Sequence, residues 1–437
     1  MSTASNVSDE IYDICIIGAG ITGSAAARWT SSLQKNIKVC LIGPNEPLEH
    51  EWNDPSRTIF GAHYDEGRVM TEICMNNIHD SWIEFTRRSI ARFKDLEQES
   101  GISFFTEDTN ITISDDSVVK ELWRKRQDRS TARCYRGDEL SNAIPSFKPL
   151  PDGISAITET TNEGYMNPRA YIAANKLLAS RNGCKIVEEV VLEVREDDNV
   201  PDDDGDDKNT KSSRRLVIAR TMTGRAYRAR RILLCPGAFV NFDGLLPNGL
   251  EVDVSTTTER VVLLEINDED VEHLSKFPCG IVDLNDGHDT RNCYFMPAIK
   301  YPDGKYYMKI GQGPDMNLPL VSNDAITAWY KKKDDIPTTV QAELLSRFFV
   351  WAEDIKFKST RTSTCVITDT PTSRFYCDMA TSNIGIVVGG NGSGACVGDE
   401  IGRMGARMIL KGAWDHDYPA ELFKLRYKDK GSQEKST

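Results

Sequence analysis

Apolar positions along this chain gather into short runs that end on glycine. The first, 11-IYDICII-17, leads into Gly18-Ala19-Gly20-Ile21-Thr22-Gly23. Small residues through Ala25, Ala26 and Ala27 follow, and then a second run, 37-IKVCLIG-43. Runs of this length bounded by glycine read as buried strands, and the alanine-rich stretch between them as a helix. Two more runs end in the same way. Residues 229-ARRILLCPGAF-239 predict a strand, and 384-IGIVVGGNGSGACVGDEIGRMGARMIL-410 again predicts strand, glycine loop and helix. Residues 293-CYFMPAIKYPDGKYYMKIGQG-313 instead predict two strands joined by a turn at Pro302-Asp303-Gly304. In the second of these, Tyr307 and Lys309 share one face and Tyr306, Met308 and Ile310 the other.

At 437 residues the chain exceeds one simple core, which predicts two domains. No apolar run approaches the roughly 18 residues that cross a bilayer, so no membrane partner is expected. Met1 to Glu10 is polar without a basic n-region, and the closing Glu-Lys-Ser-Thr matches no peroxisomal or reticulum address. An intracellular, cytoplasmic protein is expected, monomeric or a small homo-oligomer. The net charge of −13, from 53 basic and 66 acidic residues, argues against nucleic acid as a partner. Part of it sits in 196-EDDNVPDDDGDD-207, expected as a surface loop between two strands. The 11 cysteines form no C-x-x-C pair and have no histidine at ligand spacing, so neither a disulfide framework nor a metal site is expected.

The first glycine loop carries chemistry. Gly18 permits a tight turn, Gly20 lets a pyrophosphate approach the backbone, and Gly23 lets the helix pack on the strand. The helix N-terminus, with Ile21 and Thr22, is then aimed at phosphate. The second strand ends in Leu41-Ile42-Gly43 instead of an acid, leaving Glu46 or backbone groups to hold the adenosine ribose. NAD and FAD share this fingerprint. The distant strand-to-glycine junctions at Gly237 and at Gly390 and Gly392 suggest a nucleotide domain assembled from separate segments, the habit of flavoproteins, and FAD is the expected cofactor. A helix starting after Gly394 would point its positive end at the bound group.

These features resemble the D-amino-acid-oxidase superfamily of FAD enzymes and, within it, the monomeric sarcosine oxidase and N-methyltryptophan oxidase family, from Asp13 to about Lys411. Residues 56-SRTIFGAHYDEGR-68 are similar to the family segment in which a Ser or Thr and an Arg lie against the flavin, here Ser56 and Arg57. Residues 164–194 resemble its Asn-Pro helix and following strand, whose valine backbone touches adenine; the resemblance puts Val190 or its neighbour in that place. The stretch 362-TSTCVITDTPTSRFYCDM-379 resembles the motif Cys-x-x-Thr-x-Thr-Pro-Asp-x-x-Phe-x-x-Asp, in Cys365, Thr368, Thr370, Pro371, Phe375 and Asp378. A lone cysteine is otherwise a small core residue. The resemblance implies that Cys365 carries FAD through an 8α-S-cysteinyl bond, with a cation such as Arg57 favouring the thiolate. It implies for Lys309, in Lys309-Ile310-Gly311-Gln312-Gly313, a place beside the flavin where it promotes electron transfer to dioxygen; the family's histidine is replaced by Gly313.

The implied reaction is oxidation of the C–N bond of a secondary amine or N-substituted amino acid to an imine, with hydrogen peroxide as the second product. Lys309 and Arg57 are the catalytic candidates. The alternatives are an FAD-dependent dehydrogenase with another electron acceptor and a non-catalytic flavoprotein. The family's carboxylate-binding cations correspond to Phe60 or Gly61 and to Cys396. A less acidic or larger amine is therefore expected, or an anchor relocated to Arg57, Arg68 or Lys305. The expected fold is α/β with an α+β substrate part. A Rossmann-like FAD-binding domain from 1–93, 156–240 and 359–420 interleaves with a mixed, largely antiparallel-sheet substrate domain from 94–155 and 241–358. A flexible tail is expected over 421–437.

Overall fold

In the computed structural model, residues 7–72, 80–126, 131–197, 215–284 and 292–428 are described; residues 198–207 of the acidic stretch lie outside them. The first apolar run forms the strand Val7–Ile17 in the middle of an eight-stranded sheet. Val39–Ile42 runs parallel on one side of it and Ala226–Leu234 on the other. Lys185–Val187 and Ile384–Val388 extend the parallel array outward. Alternate side chains of the first strand face opposite sides. Ile14 and Ile16 enter the core beneath the helices Ile21–Leu33 and Gly394–Lys411, and Cys15 and Ile17 enter a second core on the far side. With both faces covered, the strands need no polar side, which is why they read as continuous apolar runs. Small residues set the spacing of the two helices: a Cβ on Gly402 would stand 2.5 Å from that of Ala25.

The second eight-stranded sheet runs in the order Phe357–Asp369, Ser255–Ile266, Tyr306–Gln312, Cys293–Lys300, Cys279–Val282, Asn110–Asp115, Ile154–Glu159, Arg133–Arg136. One pairing, Cys279–Val282 with Asn110–Asp115, is parallel; the others are antiparallel. A small sheet joins Arg68–Met70, Gly164–Met166 and Phe105–Glu107. The mixed α/β class expected from sequence is what the chain forms. The boundaries expected at 156 and 359 fall inside strands of the second sheet, because Phe357–Asp369 pairs along its whole length with Ser255–Ile266. Within 421–428, expected to open a flexible tail, Phe423 is anchored. Phe423 is fully buried and stacks on Phe375 with ring centroids 4.9 Å apart, and burial of such a ring, worth about 1.5–3 kcal/mol, outweighs its charged neighbours. Among the described residues no helix is long and apolar enough to cross a membrane.

Candidate active site

The C-terminal ends of the parallel strands and one face of the second sheet enclose a cavity of about 440 Å³, within the range of small-molecule sites and at the end of the sheet where ligands of such folds bind. Gly18, Gly20, Ile21 and Thr22 line one end. Gly18 has φ of +101°, and a Cβ there would lie 2.1 Å from the Cys235 carbonyl oxygen; a Cβ on Gly23, behind the turn, would lie 1.7 Å from that of Gly18. Gly20 caps the helix Ile21–Leu33 with no side-chain acceptor, so the first-turn N–H groups beside the cavity have no local partner. Val190 and Gly237 also line it.

The last glycine loop closes the opposite wall with Gly390 and Gly392. Gly392 takes φ of +73°, and neither it nor Gly394 has an atom within 4 Å of where a Cβ would stand. The following helix starts at Gly394 with no side-chain cap. Glu46 does not reach back toward the cavity: Arg169 holds its carboxylate at 2.5 Å, and Gly43 and Pro44 line that end.

Cys365 lines the cavity from the edge strand of the second sheet. The expected pair Ser56 and Arg57 is not among the lining residues. Exposed Ser56 bonds Asp54 at 2.7 Å, and Arg57 donates to the Asn45 carbonyl and, at 2.9 Å, to the Tyr64 hydroxyl. The cation beside the thiol is Arg68, whose Nη2 lies 3.9 Å from Cys365 Sγ. Arg68 is held there by Asp65 and by the carbonyls of Ala62 and Gly67. Burial pushes the Cys365 thiol up, and Arg68 offsets only part of that rise. The cation placed to favour the thiolate is thus Arg68, where Arg57 was expected.

Asp65 joins the charged groups. It accepts from Lys309 Nζ at 2.8 Å, from Arg68 and from the Tyr301 hydroxyl at 2.7 Å. Burial alone would raise its carboxyl, but Lys309 and Arg68 hold it well below the usual carboxylate range. Lys309 is 1% exposed and also donates to the Gly67 carbonyl. Burial lowers its pKa, and Asp65 opposes that. Lys309 is not itself a lining residue; Asp65, which is one, connects it to the cavity wall.

Phe60 stacks on Tyr330 with centroids 5.3 Å apart, and Cys396 Sγ lies 3.5 Å from the Val69 carbonyl oxygen. Lys305 pairs with Glu265 at 2.9 Å, away from the lining. His63, a lining residue, is kept neutral by burial and then by nearby cations, its pKa pulled down to about 3. Among the lining residues not singled out from the sequence are Asp65, Glu259 and Tyr294. The available signal was an acid at the head of the apolar run 259-ERVVLLEI-266.

The family described as DAO, FAD dependent oxidoreductase, matches residues 13–408. Comparison with curated protein sequences returned no match. Among solved structures, the open form of NikD, an unusual amino acid oxidase essential for nikkomycin biosynthesis, is similar with a TM-score of 0.72 and 18% identity, covering 96% of this chain and 98% of that one. L-proline dehydrogenase from P. horikoshii is similar with a TM-score of 0.67, 16% identity and coverage of 95% and 97%. Fructosyl amine:oxygen oxidoreductase (Amadoriase I) from Aspergillus fumigatus gives 0.66, 18% identity and coverage of 96% and 90%. At these identities the likeness shows the fold.

Proposed function

As the chain belongs to the family of FAD dependent oxidoreductases, we propose that it oxidises the C–N bond of a secondary amine or N-substituted amino acid, with FAD lying in the cavity and bonded to Cys365. The observation that carries this reading is the continuity of one cavity from both glycine loops to the Cys365 thiol. The residues fit the group: the uncapped N-terminus of the helix Ile21–Leu33 suits its phosphates, and at the opposite wall the bare Cα atoms of Gly392 and Gly394 leave room for a ring system. FAD supplies the two-electron acceptor when bound.

The chain's own residues supply the rest. Arg68, fixed by Asp65, stabilises the Cys365 anion when the thiol gives up its proton. The aromatic wall of Phe60, Tyr64 and Tyr330 excludes water and suits an apolar substituent on the amine. Lys309, held by Asp65, places positive charge at the wall, which favours negative charge developing on dioxygen as it becomes hydrogen peroxide. A second reading, a dehydrogenase with another acceptor, is favoured by the engagement of that ammonium with Asp65 and Gly67.

The test is anaerobic addition of L-proline, iminodiacetate, N-methyltryptophan and N-methylbenzylamine to the purified yellow protein, followed by air. Bleaching by at least one amine and peroxide release on aeration are expected. Bleaching without peroxide selects the second reading, and no bleaching by any of the four overturns amine oxidation.

A further inference from the structure

Glu259 stands out among the cavity residues. It is 7% exposed, it lines the cavity, and its Oε1 has no hydrogen-bond partner. The Tyr294 phenol is a neighbour that pulls against the rise of the same carboxyl. A buried carboxyl left half satisfied forgoes a charge-assisted hydrogen bond, so a donor brought by a ligand has an acceptor waiting for it. The neighbouring cations do not fill the gap. Arg68 is directed to Asp65, Gly67 and Ala62, Lys309 to Asp65 and Gly67, and Arg260 to Gln312 at 2.8 Å and the Met316 carbonyl at 3.0 Å.

The placement is also specific. On the antiparallel pair of strands Ser255–Ile266 and Phe357–Asp369, Glu259 sits directly opposite Cys365, and residues so paired share one face of a sheet. The free carboxyl oxygen therefore belongs to the same wall as the thiol.

We propose that Glu259 is the anchor for the substrate's amino group, its Oε1 accepting a hydrogen bond from an N–H of the amine. The substrate class is then a primary or secondary amine recognised through nitrogen, with no carboxylate required. This deepens the amine-oxidation reading and rests on it. Burial, ahead of the opposing pull of Arg68, Lys309, Tyr294 and Arg260, raises the carboxyl to about 8, so it binds N–H donors best when ionised, at the alkaline end of the physiological range.

The test compares flavin-loaded wild type with Glu259→Gln and Glu259→Leu, using N-methylbenzylamine, which carries an N–H, and benzyltrimethylammonium, which is cationic without one. Dissociation constants come from anaerobic flavin spectral changes between pH 6 and 9.5, and flavin content from absorbance after denaturation. In wild type, N-methylbenzylamine binds about 10- to 100-fold more tightly than benzyltrimethylammonium, the span of one charge-assisted hydrogen bond. Its affinity rises through about pH 8. Glu259→Leu removes the preference, and Glu259→Gln keeps part of it without the pH inflection. Equal affinities of the two probes in wild type, an unchanged N-methylbenzylamine constant in Glu259→Leu, or loss of flavin in place of loss of amine binding overturns the anchor. Wild type bleached by amines while the variants bind them equally well removes the anchor alone. Wild type that no amine bleaches removes the oxidation reading beneath it.

Discussion

Replacing Asp65 with Asn tests the charged cluster at the cavity wall. The Asp65 carboxylate faces Lys309 Nζ at 2.8 Å and Arg68, with side-chain exposures of 9% for the carboxylate and 2% for the lysine. Asn keeps an acceptor for one of them and removes the charge that balances both. Breaking a buried pair from one side typically destabilises by about 3–5 kcal/mol. Unfolding entropy of about 2.1 cal/mol/K per residue over 437 residues gives roughly 0.9 kcal/mol/K, so Tm should fall by about 3–5 °C. The pH dependence has a definite sign. Burial already lowers the Lys309 pKa from 10.5, and without Asp65 it falls further. The folded variant then binds fewer protons than the unfolded chain at alkaline pH, and its stability climbs as pH rises toward 10.5. Calorimetric melts at pH 7, 8.5 and 10 read this directly, and the deficit relative to wild type should shrink with pH. A variant within 1 °C of wild type at pH 7, or a deficit flat across that range, would refute the assignment of Asp65 as counter-ion.

Three further outcomes are expected. Gly23→Ala should yield little soluble protein and no bound flavin, since its Cβ would sit 1.7 Å from the Gly18 carbonyl oxygen; normal flavin content would contradict that packing. Cys365→Ser should remain yellow as purified but release its flavin to the supernatant on acid precipitation, whereas a yellow pellet would exclude the thiol as attachment point. Glu259→Gln should gain stability over wild type as pH rises. A carboxyl lifted from 4.5 to about 8 binds more protons folded than unfolded, so wild type weakens between those values, by about 2–3 kcal/mol from pH 6 to 9. Parallel Tm curves of the two proteins across that range would count against the buried, strained carboxyl.

How much was legible before the fold depends on the range of the physics involved. Gly18, Gly20 and Gly23 were readable because their spacing is a local pattern at one strand-to-helix turn, where Gly23 is forced by the Gly18 carbonyl oxygen 1.7 Å from its Cβ position. Lys309 was placed on the correct strand by alternation, but its burial was not, since Asp65, which neutralises it, is 244 positions distant. The choice between Arg57 and Arg68 failed for a similar reason. They stand 11 positions apart in one segment, and only the folded path shows that Arg57 meets the Asn45 carbonyl while Arg68 turns to Asp65 and the thiol. Glu259 escaped notice because its neighbour Cys365 is set by the register of two strands about a hundred residues apart in sequence. Phe423 shows the reverse error, a single ring in a lysine-rich stretch that composition alone consigned to a tail.

The strand order of the first sheet bears on how the protein comes into being. Its parallel array places Ile384–Val388 against Ala226–Leu234, which in turn flanks Val7–Ile17. A chain still emerging from the ribosome would therefore hold an unfinished sheet with one open margin until nearly nine-tenths of it had been made. Such non-local pairing slows folding and leaves apolar edges uncovered meanwhile. Truncation before residue 384 would expose the Ile232–Leu234 part of that margin permanently, so nascent or clipped forms of this protein should depend on chaperones to an extent the finished molecule does not.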